Sequence, residues 1–379
     1  MKFDTLCVHP TIETEDQYGA ITTPIYQSAT FIHSGLSNDS KYSYSRLSNP
    51  TRSHLEDLVM KLEEGRACCG FSTGMAAITC VFRLFKSKDH IICSSDLYGG
   101  ALRLFRTLKE DNFEFDFVDT ADIELVKSKI KENTKAIYIE TPSNPLMNVT
   151  DIKAIASLCN SYGLLLIVDN TFLTPYFQRP LTLGADIVIH SGTKYLGGHN
   201  DTLAGFVVSK TLELGERILY VSKTIGANLS PFDSFLIERG IKTLALRMDR
   251  INSNAIKVAN FLKELPCIKK INYVGLEDNP GYNTNKKQSS GFGGMISITL
   301  ESEELAKRIL TNIKIFKYAE SLGGVDSLIT YPMYQTHADL PYEEKLEKGI
   351  DERFLRISIG IENPLDLIDD LKEAIYGKV

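Results

Sequence analysis

Two stretches decide the fold: LLLIVDN at residues 164–170 and DIVIHSGTKYLGGHND at residues 186–201. Each begins with a continuous run of branched apolar residues and stops on a polar one, Asp169 in the first and His190 in the second. A run apolar on both faces suits a strand covered from both sides, as in parallel sheets. HIICSS (90–95), FEFDFVD (113–119) and AIYIE (136–140) repeat the pattern. Apolar residues at helical spacing predict amphipathic helices between strands, over residues 123–132 and 152–162. The alternation predicts an α/β fold, a mainly parallel sheet between two layers of helices. Chemistry in such a sheet gathers at the carboxyl ends of the strands. Glu140, Asp169 and His190 all fall there.

Toward the N-terminus the periodicity disappears. Residues 1–50 are rich in Thr, Ser, Tyr and Asn and end in SYSRLSNP. They read as an extended arm, polar yet aromatic, that lies on a neighbouring subunit. Leu55, Leu58, Val59 and Leu62 then recur at helical spacing, with Gly65 as a stop. Toward the C-terminus, residues 210–260 are helical in pattern and residues 275–291 read as a loop. Beyond residue 290 come a strand (MISITL), a helix (303–312), a second strand (FLRISIG) and a closing helix (365–375). This predicts three parts: the arm at 1–50, a large domain at 51–245 and a smaller α/β domain at 246–379.

The chain has 379 residues, 43% hydrophobic and 24% charged, with net charge -6. That balance argues against nucleic acid or an anionic membrane as the main partner. No apolar run approaches a membrane span, and MKFDTLCVHP lacks the pattern of a secretory leader. Seven scattered cysteines with no C-x-x-C spacing suggest reduced thiols in a cytoplasmic protein. His190, His199 and Asp201 match no zinc-ligand spacing, so no metal is expected.

The reactive candidates cluster around Lys194. Ser191, Thr193 and Lys194 share one loop after a strand, bringing hydroxyls and an amine together. Asp169 ends the preceding strand and could hold a cationic ring nitrogen by charge pairing. In FSTGMAAI (71–78), Gly74 and Met75 open an apolar helix whose free N–H groups suit a phosphate. Tyr98 follows the strand at 90–95 and could stack on a ring. Each taken alone is ordinary: a solvated lysine, a turn-capping aspartate, a core tyrosine, a helix start. Together they are the parts of a pyridoxal-phosphate site, although shared location does not by itself name the cofactor. A competing reading takes GFSTG (70–74) as a serine-hydrolase elbow with Ser72 as nucleophile. RACC before it makes a poor buried strand, which counts against that reading.

YSRLSNPTR (44–52), FSTGMAAI, ETPSNP (140–145), VDNTF (168–172), HSGTKYLGGHND (190–201) and AESLGGVDSL (319–328) occur in this order. Together they closely resemble the Cys/Met-metabolism family of pyridoxal-phosphate enzymes. The resemblance implies fold type I, the aspartate-aminotransferase-like fold. It implies that Lys194 forms the Schiff base, that Asp169 faces the pyridine nitrogen, and that Tyr98 stacks on the ring and assists in proton transfer. It further implies that Gly74, Met75, Ser191 and Thr193 cradle the phosphate, with Tyr44 and Arg46 reaching it from an adjacent subunit. Asn144 then lies near the ring hydroxyl and substrate carboxylate. Arg356 clamps that carboxylate beside Ser321, and Glu320 borders the substrate. A dimer of dimers follows, acting on small amino acids.

The family's reactions differ in what leaves and what adds. Gly100, where a methionine γ-lyase carries Cys, counts against that specificity. Glu320 and Leu322, flanking Ser321, count against a cystathionine β-lyase. PFDSFL (231–236) and residues 327–341 favour a γ-synthase using an O-acylhomoserine with cysteine or sulfide. QSSGFGGMIS (288–297) is equally like a γ-lyase, the alternative.

Overall fold

Seven strands form the first sheet of the computed structural model, which describes residues 1–9, 18–33, 35–36 and 40–377. They are β1 (Ala67–Phe71), β2 (His90–Ser94), β3 (Glu114–Val118), β4 (Thr134–Glu140), β5 (Leu165–Asp169), β6 (Ile187–Ser191) and β7 (Gly205–Ser209). Their spatial order is β1-β7-β6-β5-β4-β2-β3. Strands β2 to β6 pair in parallel, whereas β7 runs antiparallel to β6 and β1. Side chains alternate between two apolar layers. Ile92, Ile137, Val168 and Val188 pack with the helices Pro50–Leu62 and Ile152–Tyr162. Ile91, Tyr138, Ile167 and Ile189 face the opposite layer, formed by the helices Gly74–Phe82 and Gly99–Glu110.

The helix Ile152–Tyr162 forms over the expected residues for local reasons. Asp151 caps its first turn by accepting from Ala154 N, and Gly163, at φ 66°, ends it. The helix expected over residues 123–132 stops earlier, at Ser128.

RACC is not a poor strand: Ala67–Phe71 is β1, and its small side chains are the point. The helix Leu212–Ile225 crosses so closely that a Cβ on Gly215 would lie 2.3 Å from that of Ala67. Close backbone approach replaces bulk, so apolar periodicity under-reports this edge. It also hides β7, where a Cβ on Gly205 would lie 2.1 Å from the Thr73 carbonyl oxygen.

A second sheet holds β8 (Ile268–Asn272), β9 (Met295–Leu300), β10 (Lys317–Tyr318), β11 (Leu328–Thr330) and β12 (Phe354–Ser358), in the order β10-β11-β12-β9-β8. Its core includes Ala306 and Ile309 of the helix Glu303–Asn312 and Leu371 and Ile375 of the helix Pro364–Tyr376. The helix Leu244–Lys263 belongs to both cores. Met248 and Ile251 sit in the first, and Ala255, Val258 and Leu262 in the second. The expected boundary at residues 245/246 therefore falls in the first turn of a shared helix.

Two expectations need correcting. Residues 275–291 are not all loop, since they contain the helix Tyr282–Gln288. The N-terminal segment is not wholly an extended arm. It opens with the helix Phe3–Val8, whose Cys7 is buried in the first core. Part of the expected arm, residues 10–17, lies outside the described residues. Among the described residues, no helix is long and apolar enough to cross a membrane.

Residues 331–350, between β11 and β12, leave their own sheet and settle on the helix Gly99–Glu110. Leu340 joins the core around Phe105. Arg103 pairs with Asp339, and Arg106 with Glu344 at 2.7 Å. Lys348 Nζ donates to the Ser95 carbonyl. His337 is buried, and burial with Arg356 and Lys348 nearby lowers its pKa to about 3. It is neutral at pH 7.

Gly205→Ala tests the close approach of β7 to Thr73. We expect it to lower the free energy of unfolding by about 1–3 kcal/mol, read from the urea midpoint, because the contact is backbone and cannot rotate away.

Candidate active site

Parallel register places Glu140 directly beside Asp169, at the carboxyl ends of β4 and β5. Asp169 is nearly buried, and burial pushes its pKa up. Its Oδ1 accepts from the Thr171 N–H at 3.0 Å and the Thr171 hydroxyl at 2.6 Å, which fix the carboxylate two residues along an Asx-type turn. The same Thr171 hydroxyl accepts from Ser191 N at 2.9 Å, tying the end of β5 to the end of β6. No lysine or arginine pairs with Asp169 among the described residues.

Glu140 Oε2 accepts from Tyr98 N at 3.0 Å, which holds the start of the helix Gly99–Glu110 against the sheet. Glu140 is buried, and its pKa is raised by burial first and by Asp169 second. Tyr98 is 40% exposed. The ring and Met75 Sδ both border Gly100, where a Cβ would lie 2.5 Å from the ring and 2.9 Å from the sulfur. Gly100 thus leaves the space that the Tyr98 ring and the Met75 sulfur occupy.

Thr73 caps the helix Gly74–Phe82 by accepting from Ala76 N at 3.0 Å. The helix itself offers the N–H groups of Gly74 and Met75 no partner. Ser191 lies directly against them: a Cβ on Gly74 would stand 3.0 Å from Ser191 Oγ. The Thr193 hydroxyl is instead engaged with the backbone of Ala204, which it both donates to and accepts from.

Lys194, Ser321, Arg356 and Asn144 form one hydrogen-bonded chain. Lys194 Nζ donates to Ser321 Oγ at 2.7 Å. Arg356 Nη2 donates to the Ser321 carbonyl at 2.9 Å and to Thr330 Oγ1 at 3.0 Å, and Nη1 donates to Asn144 Oδ1 at 2.9 Å. Ser321 occupies φ 84°, a left-handed conformation costly for any residue but glycine. Strain at a residue joining a lysine to an arginine marks a functional position. Burial, then the Arg356 charge, lowers the Lys194 pKa to about 8; Glu320 opposes this. Burial lowers that of Arg356 to about 10. Arg356 is 2% exposed, its Nε lacks a partner, and no carboxylate bonds it among the described residues.

Tyr44 and Arg46 do not join this cluster within the chain. They stack on each other, Arg46 Cζ standing 5.4 Å from the Tyr44 ring centroid, and Arg46 donates to the Lys223 carbonyl. The alternative chemistries find no support in the contacts. No histidine bonds the Ser72 hydroxyl among the described residues. His190 and His199 diverge, the first onto buried Glu63 at 2.6 Å and the second onto the Gly197 carbonyl at 2.7 Å.

Sequence reasoning placed Glu140 at the site edge without giving it a role, and Thr171 and Thr330 escaped it. Thr171 had a local signal, the D-x-T spacing of an Asx turn. Thr330 had none, since it meets Arg356 only through the β11–β12 pairing.

These features fit one kind of ligand. A buried carboxylate without a cation takes a protonated ring nitrogen. Two unpaired N–H groups at a helix N-terminus take a phosphate, a lone amine takes a carbonyl, and a buried guanidinium takes a carboxylate. The arrangement defines an α/β enzyme built around a phosphorylated aromatic aldehyde and an amino-acid substrate.

Comparison with known proteins agrees. The model of the family described as Cys/Met metabolism PLP-dependent enzyme matches residues 4–376. The cystathionine gamma-lyase of Bacillus subtilis (strain 168) is 50% identical over 376 residues, 99% of each chain. The cystathionine gamma-synthase/O-acetylhomoserine (thiol)-lyase of the same organism is 48% identical, over 96% of this chain and 93% of that one. A crystal structure of cystathionine gamma-lyase from Lactobacillus plantarum, complexed with L-serine, superposes with a TM-score of 0.97 at 45% identity, covering 99% of this chain and 98% of the other. The chain belongs to the Cys/Met-metabolism PLP-dependent enzyme family, and its cofactor is pyridoxal 5'-phosphate.

A lowered lysine pKa can be read without turnover. In cofactor-free protein, acetylation of Lys194 followed by mass spectrometry should rise with a midpoint near pH 8, because the reactive neutral amine appears above the pKa. Ordinary surface lysines should rise about two units later. A midpoint above 10 for Lys194 would contradict the burial argument.

Proposed function

We propose that the chain catalyses α,γ-elimination of cystathionine, which with one water gives cysteine, 2-oxobutanoate and ammonia, with γ-replacement on O-acetylhomoserine as a second activity. This reverses the order expected from sequence. The observation that carries it is Glu320, an exposed carboxylate close enough to act on both Lys194 and Arg356. Arg356 suits the α-carboxylate of one amino-acid head. An anion at the mouth favours a substrate with a second ammonium group, as cystathionine has, and disfavours O-succinyl or O-phospho groups. The identities favour elimination by a small margin, and the 48% identical relative that names both other activities supports the second reading.

In this reading Lys194, Asp169, Tyr98, Asn144, Gly74, Met75, Ser191 and Thr193 hold the cofactor, with Tyr44 and Arg46 supplied by a second copy of the chain. The enzyme is then at least a dimer, and a dimer of dimers by family resemblance. Seven free cysteines suit a cytoplasmic location. When bound, pyridoxal phosphate supplies an aldehyde to join with amines and an electron-poor ring to absorb the electron pair left at Cα.

The chain's own residues do the rest. Arg356 and Asn144 orient the substrate carboxylate, so the Cα–H bond points toward Lys194. Lys194 Nζ, about half neutral near pH 8, takes the Cα proton and then moves protons at Cβ and Cγ. Ser321 Oγ holds that amine in place. Asp169 holds positive charge at the ring nitrogen, and Tyr98 covers the ring and excludes water from one face.

Substrate profiling decides between the reactions. Cystathionine alone should yield 2-oxo acid with a kcat/KM about tenfold above that for cystathionine formed from O-acetylhomoserine and cysteine. The opposite ranking would make replacement the main activity. Glu320→Gln should raise KM for cystathionine roughly three- to tenfold with little change in kcat, as loss of binding common to ground and transition states does.

A further inference from the structure

Arg247 is a buried cation that the proposed chemistry does not use. It is 4% exposed, and burial lowers its pKa to about 10. No acidic side chain bonds it among the described residues. Its guanidinium donates to one hydroxyl, Nε to Thr243 Oγ1 at 3.0 Å, and otherwise to carbonyl oxygens: Nη1 to Tyr195 at 2.6 Å, and Nη2 to Gly240 at 2.7 Å and Leu196 at 3.4 Å. Tyr195 and Leu196 directly follow Lys194.

These carbonyls need a partner for a local reason. Residues 191–198 make a tight helical turn, in which Gly197 N donates to the Gly192 carbonyl and Gly198 N to that of Lys194. Gly198 ends the turn at φ 72°. A single turn leaves its last carbonyls without helical donors, and here they are buried away from water. The glycines let the cation in: a Cβ on Gly198 would lie 2.1 Å from Arg247 Nη1, and one on Gly240 would lie 2.2 Å from the Gly197 carbonyl. The YLGG run after Lys194 is therefore shaped to the guanidinium.

The same helix also reaches the substrate side. Asn254 Nδ2 donates to the carbonyls of Gly360 at 3.1 Å and Glu362 at 2.8 Å. Arg250 donates to the carbonyls of Ile361 and Glu362. These residues follow β12, which carries Arg356. Positions 247, 250 and 254 share one helix face, and 247 and 254 stand about 10 Å apart along the axis. We propose that the helix Leu244–Lys263 is a ruler for the active site, with Arg247 a positioning residue that sets Lys194 at one end and Asn254 fixing the strand of Arg356 at the other. The proposal rests on the reading of Lys194 as the cofactor-bearing base.

The test uses holoenzyme variants. Arg247→Ala should lower kcat about tenfold or more, with KM within about threefold. It should also shift the pH midpoint of the cofactor's absorption band, which reports the state of the Lys194 linkage. Low-millimolar guanidinium should restore part of kcat in this variant and none in the parent. Asn254→Ala should raise KM while leaving the absorption midpoint in place. Should Arg247→Ala fail to fold, Arg247→Lys keeps a cation with fewer donors and should show a smaller shift of the same kind. Wild-type midpoint and kcat in a folded Arg247 variant would overturn the proposal. So would a loss of kcat with an unmoved midpoint and no response to guanidinium. Borohydride fixation separates the two levels: cofactor still fixed in Lys194→Ala would refute the reading of Lys194 itself, whatever the Arg247 variants do.

Discussion

Two groups of opposite charge, Asp169 at the end of β5 and Arg356 in the middle of β12, are buried without an ion-pair partner among the described residues. Removing an ion from water costs several kcal/mol even after relaxation. A fold that keeps two such groups is strained until something charged arrives. The neighbouring parts limit this cost without removing it. Thr171 pins the carboxylate, while Asn144, Thr330 and the Ser321 carbonyl satisfy most of the guanidinium. Both groups remain hydrogen-bonded and oriented, and neither makes an ion pair among the described residues. Ligands that bring the missing charges therefore stabilise the folded state as they bind.

The parallel sheet makes this possible. Its central strands supply a wall of branched apolar residues, and that wall gives the strand ends their low-polarity surroundings. The same burial raises the pKa of Asp169 and lowers that of Lys194, so one physical cause moves both groups toward their neutral forms.

Sequence made the repetitive parts legible. β2, β4, β5 and β6 were visible because each is a continuous apolar run, and the helix Ile152–Tyr162 because Asp151 and Gly163 mark its ends. Lys194 and Asp169 could be placed at strand ends by the same reasoning. Other features depend on contacts far apart in the chain. β1 looks weak because its small Ala67 serves close helix approach, and β7 is short and opens on Gly205, which lies against the Thr73 carbonyl. Ser321 meets Lys194 across 127 positions, and Arg356 meets Asn144 across 212. No local pattern encodes such pairs. Family resemblance supplied Asn144, Arg356 and Ser321 as site residues, but it did not supply the left-handed backbone of Ser321 or the cation beneath the Lys194 turn.

The segment between β11 and β12 bears on how the cleft breathes. It is rooted in the sheet that carries Arg356, yet it is sewn by Leu340 and by the partners of Arg103 and Arg106 to the helix Gly99–Glu110, and by Lys348 to Ser95 just before that helix. A hinge opening along this seam would rupture all four attachments together and wet an apolar side chain. The seam thus works as a clasp that holds the two sheets to one another.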